Sequence, residues 1–154
     1  MSITLKSLKA EQCKLAAMIA SFEQQAKAQE AIHFPEQLGE LQQGEHYAGI
    51  IVGKDGEASY HLVLLPGNNT VTINWSEAKI WAKAAGGELP TQREQALLYA
   101  NLKEQFEGAW YWSGEQHAAY SAYAWFQDFY NGGQHDYLTN FELRARAVRR
   151  IVIE

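Results

Sequence analysis

The sequence predicts an α+β fold: an N-terminal helix, a linker, then a domain with two helices between a hairpin and a late group of strands. Three observations predict it. Two helix-start signals fall close together, at Asn74 and Thr91. Strand and turn patterns flank them instead of alternating with them, which argues against a doubly wound sheet. The segment 110–141 holds 11 of the 19 aromatic residues, interleaved with amides, hydroxyls and turn residues.

The elements follow in order. Residues 4–31 read as a helix with apolar positions at Leu5, Leu8, Leu15, Ile19, Phe22 and Ala26, and Gln12 and Gln29 in the gaps. Steps of three and four are the spacing of a coiled-coil seam. The alternative is an amphipathic helix packed on its own domain. Cys13 lies beside the seam, and a small buried hydrophobe is its expected role. Residues 32–45 read as a linker, punctuated by Pro35, Gly39 and Gly44, so the domain is expected over 46–154.

Within it, 47–52 and 59–65 read as strands joined through Asp55-Gly56, a strong hairpin signal. A turn at 66–69 leads to a short strand at 71–73. Asn74 caps a first helix with Glu77 three residues on, and Thr91 caps a second with Glu94. Trp75, Ala78, Trp81, Ala82 and Ala85 form one apolar face; Ala96, Leu97, Tyr99, Ala100 and Leu102 form the other. Strands are expected at 110–113, 123–130 and 143–153, with a turn at Asn131-Gly132-Gly133.

Composition narrows the role. Net charge is −5, and 110–141 contains no Lys or Arg. Nucleic acid is therefore not an expected partner, since phosphate binding needs cation density. No apolar run is long enough to cross a bilayer, so no membrane insertion is expected. With no signal peptide visible, synthesis in the cytoplasm is expected, with virion association open. A single cysteine, Cys13, forbids an intramolecular disulfide.

Several motifs resemble one family. The path Asn74-Trp75-Ser76-Glu77-Ala78-Lys79 and then Gly87-Glu88-Leu89-Pro90-Thr91-Gln92-Arg93-Glu94 is similar to its helical half. Trp110-Tyr111-Trp112-Ser113 resembles its W-Y-W-S strand. Ala124-Trp125-Phe126-Gln127-Asp128-Phe129 with Gly132 resembles its A-W-x-x-x-F-x-x-G hairpin. Arg144-Ala145-Arg146-Ala147-Val148-Arg149 resembles its R-x-R-x-V-R strand. The family is the bacterial and phage lectin-like domain of the Lcl C-terminal type, itself of unknown function. The resemblance spans about 47–151 and implies a C-type-lectin-like domain with two helices and a small mixed or antiparallel sheet. Phage tail-tip proteins and bacterial adhesins use that fold, as do formylglycine-generating enzymes and retroelement variable proteins. Diversified members carry their changeable residues where this chain has 120–137. Formylglycine-type oxidation needs cysteines, and there are none after Cys13. The calcium-lectin triplets E-P-N, Q-P-D and W-N-D are absent as well.

The candidate ligand-binding residues are Glu115, His117, Tyr120, Tyr123, Phe126, Asp128, Tyr130, Asn131, Gln134, His135, Asp136 and Tyr137. Tyrosine and phenylalanine supply stacking area; carboxylate, amide and imidazole groups supply directional hydrogen bonds. Trp75, Trp81, Trp110, Trp112, Trp125 and Phe129 are expected in the core. The five histidines show no metal spacing, and no cofactor is expected. Arg144, Arg146 and Arg149 are expected to pair with carboxylates and backbone carbonyls. The sequence thus favours a non-enzymatic binding module for surface polysaccharide or a surface protein. Oligomerisation, or docking as a particle subunit, would run through the seam from Leu5 to Ala26. The alternatives are a small glycan hydrolase using Glu115, Asp128, Asp136 or Glu142, and a structural subunit whose aromatic face is buried at an interface.

Overall fold

The computed structural model describes residues 4–30, 38–67 and 71–154. Two compact units are present, Met1–Glu36 and Gln37–Glu154. The first contains helix α1, Leu5–Glu30. Every described side chain from 4 to 25 is exposed, the apolar ones included. Cys13 is exposed too, against the expectation of burial. No helix among the described residues is long and apolar enough to cross a membrane.

The second unit is α+β. Strands β1 (His46–Ile51) and β2 (Tyr60–Leu64) form the expected hairpin, with Asp55 and Gly56 both at positive φ, 53° and 89°. Helices α2 (Trp75–Ala84) and α3 (Gln92–Leu102) follow, then a 3-10 turn at Lys103–Gln105. Strands β3 (Trp110–Gln116), β4 (Tyr123–Asp128), β5 (Gln134–Leu138) and β6 (Val148–Val152) complete the order. One antiparallel sheet is ordered β1-β2-β6 and the other β3-β4-β5.

Both helices start where the sequence signals them. Asn74 Oδ1 accepts Glu77 N at 3.0 Å. Thr91 and Glu94 close a full capping box, with Thr91 N donating to Glu94 Oε2 at 2.8 Å and Glu94 N to Thr91 Oγ1 at 3.2 Å. α2 buries Trp75, Ala78 and Ala82 as its pattern predicts, although Ala85 falls beyond the helix and is exposed. α3 departs from expectation. It buries Glu94, Gln95, Leu98 and Leu102, while Ala96 and Ala100 face solvent. The reason is polar pairing: Gln95 Nε2 donates to Tyr111 O at 3.0 Å, and Glu94 is met by Arg150 and Tyr60.

The closing segment also differs from a single strand over 143–153. Residues 143–148 stitch the sheets together up to the first residue of β6. Leu143 exchanges backbone bonds with Ile73; Arg144 N donates to Trp110 O; Val148 N donates to Glu88 O. The expected strand at 71–73 reduces to the Ile73 bridge with Leu143. This region places the arginines on separate partners. Arg144 pairs with Glu107 at 2.5 Å, Arg149 with Glu45 at 2.8 Å, and Arg146 donates to Gln105 O at 2.5 Å and Leu65 O at 3.3 Å.

Part of the expected linker packs instead. Leu38 is only 3% exposed, and Glu45 is held by Arg149. The rest of the linker, 31–37, lies outside the described residues, as does the turn at 68–70. Two apolar clusters make the core. One joins α2 to β3 and β4 through Trp75, Ala78, Trp112, Ala124 and Phe126; the other joins α3 to both sheets through Leu62, Leu98, Tyr111 and Phe129.

Candidate functional site

The late strands form a sheet with two different faces. Cross-strand partners share a face and neighbours along a strand alternate. The register pairs Trp110 with Asp128, Trp112 with Phe126, Phe126 with His135 and Ala124 with Tyr137. These residues lie on the side covered by α2. Tyr111, Tyr123, Trp125, Gln127, Gln134 and Asp136 lie on the side covered by α3. The sequence pattern marks a turn at 131–133 but not the strand β5 that follows it. Its residues are half-buried or exposed, so no apolar alternation marks it.

The sequence-predicted residues therefore split between two patches. On the α2 side are Asp128, His135 and Tyr137, with Tyr130 and Asn131 in the adjoining turn. On the α3 side are His117, Tyr120, Tyr123 and Asp136. Phe126 is a correction: at 3% exposure it lies beneath the surface as a packing hub. Glu115 and Gln134 are also committed internally, gripping the first residue of α3. Gln92 N donates to Glu115 Oε2 at 2.6 Å, and Gln134 Nε2 donates to Gln92 O at 2.6 Å.

The α2-side patch extends past the helix that covers the sheet. Trp112 is sealed, but Trp110, one pleat further, is 43% exposed, against the expectation that it is core. Its indole stacks over Phe126 at 4.8 Å and meets Tyr137 edge-on at 6.0 Å. Tyr137 in turn meets Phe141 at 4.5 Å, and Phe141 is 46% exposed. His135 borders the row, 5.8 Å from Phe126. Three partly open rings thus sit in contact over a rigid floor. Beside Trp110 opens a cleft of about 490 Å³ lined by Thr72, Asp128, Tyr130, Glu142 and Arg144. Trp110, Phe141 and Arg144 are missing from the expected ligand-binding residues, and Glu142 enters the sequence analysis only as a carboxylate of the hydrolase alternative. Phe141 closes the aromatic-rich segment, which was the available signal; nothing in the pattern marks Arg144 as lining a cleft.

The rim of the cleft is shaped by short local bonds. Asp128 Oδ1 accepts Tyr130 N at 2.7 Å and Asn131 Oδ1 accepts Gly133 N at 2.8 Å. Such Asx turns fix a tight bend. Gly132 sits within it at φ 82°, where a Cβ would come within 2.8 Å of the Tyr99 ring. The bend is thereby locked onto α3, and Tyr130 is held outward at 77% exposure.

The α3-side patch is smaller. His117 stacks on Trp125 at 5.6 Å and 14°, and Tyr120 sits 5.0 Å from His117. His117 Nδ1 accepts Ala119 N and Tyr120 N, so its ring shapes the loop. Of the other histidines, His61 is buried against the Tyr47 hydroxyl at 2.9 Å. Among the described residues, no three His, Cys, Asp or Glu side chains converge as a metal site.

The fold and site define a class: an α+β domain with an open aromatic row beside a polar cleft. Compared with known proteins, the chain matches no family model and no curated protein.

Proposed function

We propose that the second unit is a C-type-lectin-like recognition domain that binds a surface polysaccharide, or a surface protein, on the row Trp110–Tyr137–Phe141. The single observation that carries this is the exposure of two large apolar rings, Trp110 stacked on buried Phe126 and Phe141 set against Tyr137, bordered by a polar cleft. Isolated exposed apolar residues are unremarkable, whereas a contiguous patch with a polar rim marks a contact site. Flat rings suit the C–H faces of sugar rings. Asp128, Glu142, His135 and Arg144 can supply hydrogen bonds to hydroxyl groups.

The finer fold assignment rests on order and position. The W-Y-W-S residues lie in β3, the A-W-x-x-x-F-x-x-G residues span β4 and the turn into β5, and the R-x-R-x-V-R residues lead into β6. A phage or prophage tail setting comes from the family resemblance alone. Helix α1 would assemble copies of the module, raising avidity for a repeating ligand.

The test is binding of the full chain to an array of bacterial surface glycans and to whole cells. Trp110→Ala and Phe141→Ala are each expected to weaken binding at least about tenfold, equivalent to about 1.4 kcal/mol. Tyr120→Ala, on the opposite face, is expected to leave binding intact. The reverse pattern would move the site to the α3 side. A glycan hydrolase is favoured by one observation, that Asp128 and Glu142 line the same cleft. Release of reducing ends by the intact chain, abolished in Glu142→Gln, would establish that reading.

A further inference from the structure

Helix α1 is exposed at every side chain from 5 to 25, including Leu5 at 72%, Leu8 at 51%, Leu15 at 61%, Ile19 at 52% and Phe22 at 68%. Their steps of three and four place them on one stripe. A lone helix of this kind is only marginally stable in water and gains most from packing its stripe. We infer that α1 pairs with α1 of a second copy, parallel and in register, as a two-stranded coiled coil in which Gln12 faces Gln12. The inference rests on reading α1 as an assembly device, and adds its partner, direction and register.

Direction is decided by Gln12, which interrupts the stripe between Leu8 and Leu15. In a parallel pair it meets its own counterpart, and two amides can satisfy each other. In the antiparallel pair that overlaps the whole seam, each Gln12 lies against the partner's Phe22, an apolar ring that accepts no amide hydrogen bond; the antiparallel register shifted to face Gln12 with Gln29 leaves Leu5 and Leu8 beyond the partner's end. Leaving buried amide groups unpaired is costly.

Charge favours the other direction weakly. Antiparallel packing brings Lys9 beside the partner's Glu23 at the seam edge. Parallel packing instead sets Glu11 by the partner's Ala16 and Met18 by the partner's Glu23, with neither attraction nor like-charge repulsion. An exposed ion pair returns less than an unpaired buried amide costs, so the parallel pair prevails. Leucine at Leu8 and Leu15 with a β-branched residue at Ile19 favours two strands. Both chains then leave the coiled coil at the same end, so the two recognition domains can engage one surface together.

The experiment uses the full chain in a Cys13→Ser background, with Leu8→Cys and, separately, Phe22→Cys. Sedimentation is expected to give a dimer for each. On mild oxidation both variants are expected to cross-link at least about tenfold faster than the chain carrying only its native Cys13, because seam positions raise the effective concentration of the facing thiol. In an antiparallel pair the two position-8 thiols would be separated by about 27 Å along the axis, far outside disulfide reach. A monomer would overturn the inference, and so would a dimer whose seam cysteines cross-link no faster than Cys13. Cross-linking is read independently of glycan binding. Failure here leaves the recognition face standing, and failure on the array leaves the coiled coil standing.

Discussion

Arg150→Ala is expected to destabilise the second unit by about 3–5 kcal/mol, the usual cost of stranding a buried charge. Glu94 is 0% exposed and takes four donors. Arg150 Nε reaches Oε1 at 2.6 Å and Arg150 Nη2 reaches Oε2 at 2.9 Å; Tyr60 Oη donates at 2.6 Å and Thr91 N at 2.8 Å. Arg150 also bonds Glu88 through Nη1. Removing the guanidinium leaves the carboxylate with two neutral donors in a dry site.

The pH dependence carries the sign. Burial pushes the Glu94 carboxyl up, but bonds from Arg150, Tyr60 and the Thr91 amide outweigh it, and the net shift is below the ordinary 4.5. Stability from the pair is therefore fully present above about pH 4.5 and is lost as pH falls through the lower folded value. Burial and the adjacent carboxylate together push Tyr60 up to about 12. In Arg150→Ala the burial effect loses its main opponent. Relative to the parent chain, that variant is expected to recover stability on acidification from pH 7 to 5. Denaturant unfolding across that range measures both effects. A loss below about 1 kcal/mol at pH 7, with an unchanged acid profile, would contradict this account of the pair.

Trp112→Ala is the second large effect, also about 3–5 kcal/mol. The indole is 0% exposed and packs in the cluster with Trp75, Ala124, Phe126 and Leu143. Its Nε1 donates to Ile73 O at 3.0 Å, so truncation opens a cavity and removes a hydrogen bond. Trp112→Phe keeps most of the volume and is expected to lose about half as much, since it still gives up the indole bond, leaving the Ile73 carbonyl with Leu143 N alone. Trp112 and Phe126 are register partners, so the larger truncation also loosens the floor under Trp110. Weaker ligand binding should accompany it even where the domain remains folded. An indistinguishable unfolding midpoint for Trp112→Ala would place the core elsewhere.

The legible parts of this fold are those whose cause lies within a few residues. Asn74 and Thr91 announce their helices because the capping bonds span three residues. Asp55-Gly56 announces its hairpin because the turn needs two positive φ angles. What is hidden depends on distant partners. Glu94 and Gln95 are buried because Arg150 and the Tyr111 carbonyl meet them, and neither is near in sequence. β5 is an edge strand, made by pairing with β4 without a buried face of its own. Residues 143–148 are divided among Ile73, Trp110, Leu65 and Glu88, so their arginine alternation does not describe one strand.

The candidate site was legible in outline and misread in detail for the same reason. Composition drew attention to 110–141, and Asp128, Tyr130, His135 and Tyr137 do gather on one side. Strand alternation alone does not say where α2 stops covering the sheet. That limit separates sealed Trp112 from open Trp110, and the packing above it seals Phe126.

The central claim is that the row Trp110–Tyr137–Phe141 is the recognition face. Hydroxyl-radical footprinting of the full chain, free and with a glycan or cell-surface extract that it binds, tests this most directly. Trp110, Tyr137 and Phe141 should oxidise readily in the free protein and be protected in the complex, with Trp112 protected in both and Tyr120 reactive in both. Protection of Trp110 already in the free chain, or ligand protection falling on Tyr120, His117 and Trp125 instead, would contradict it.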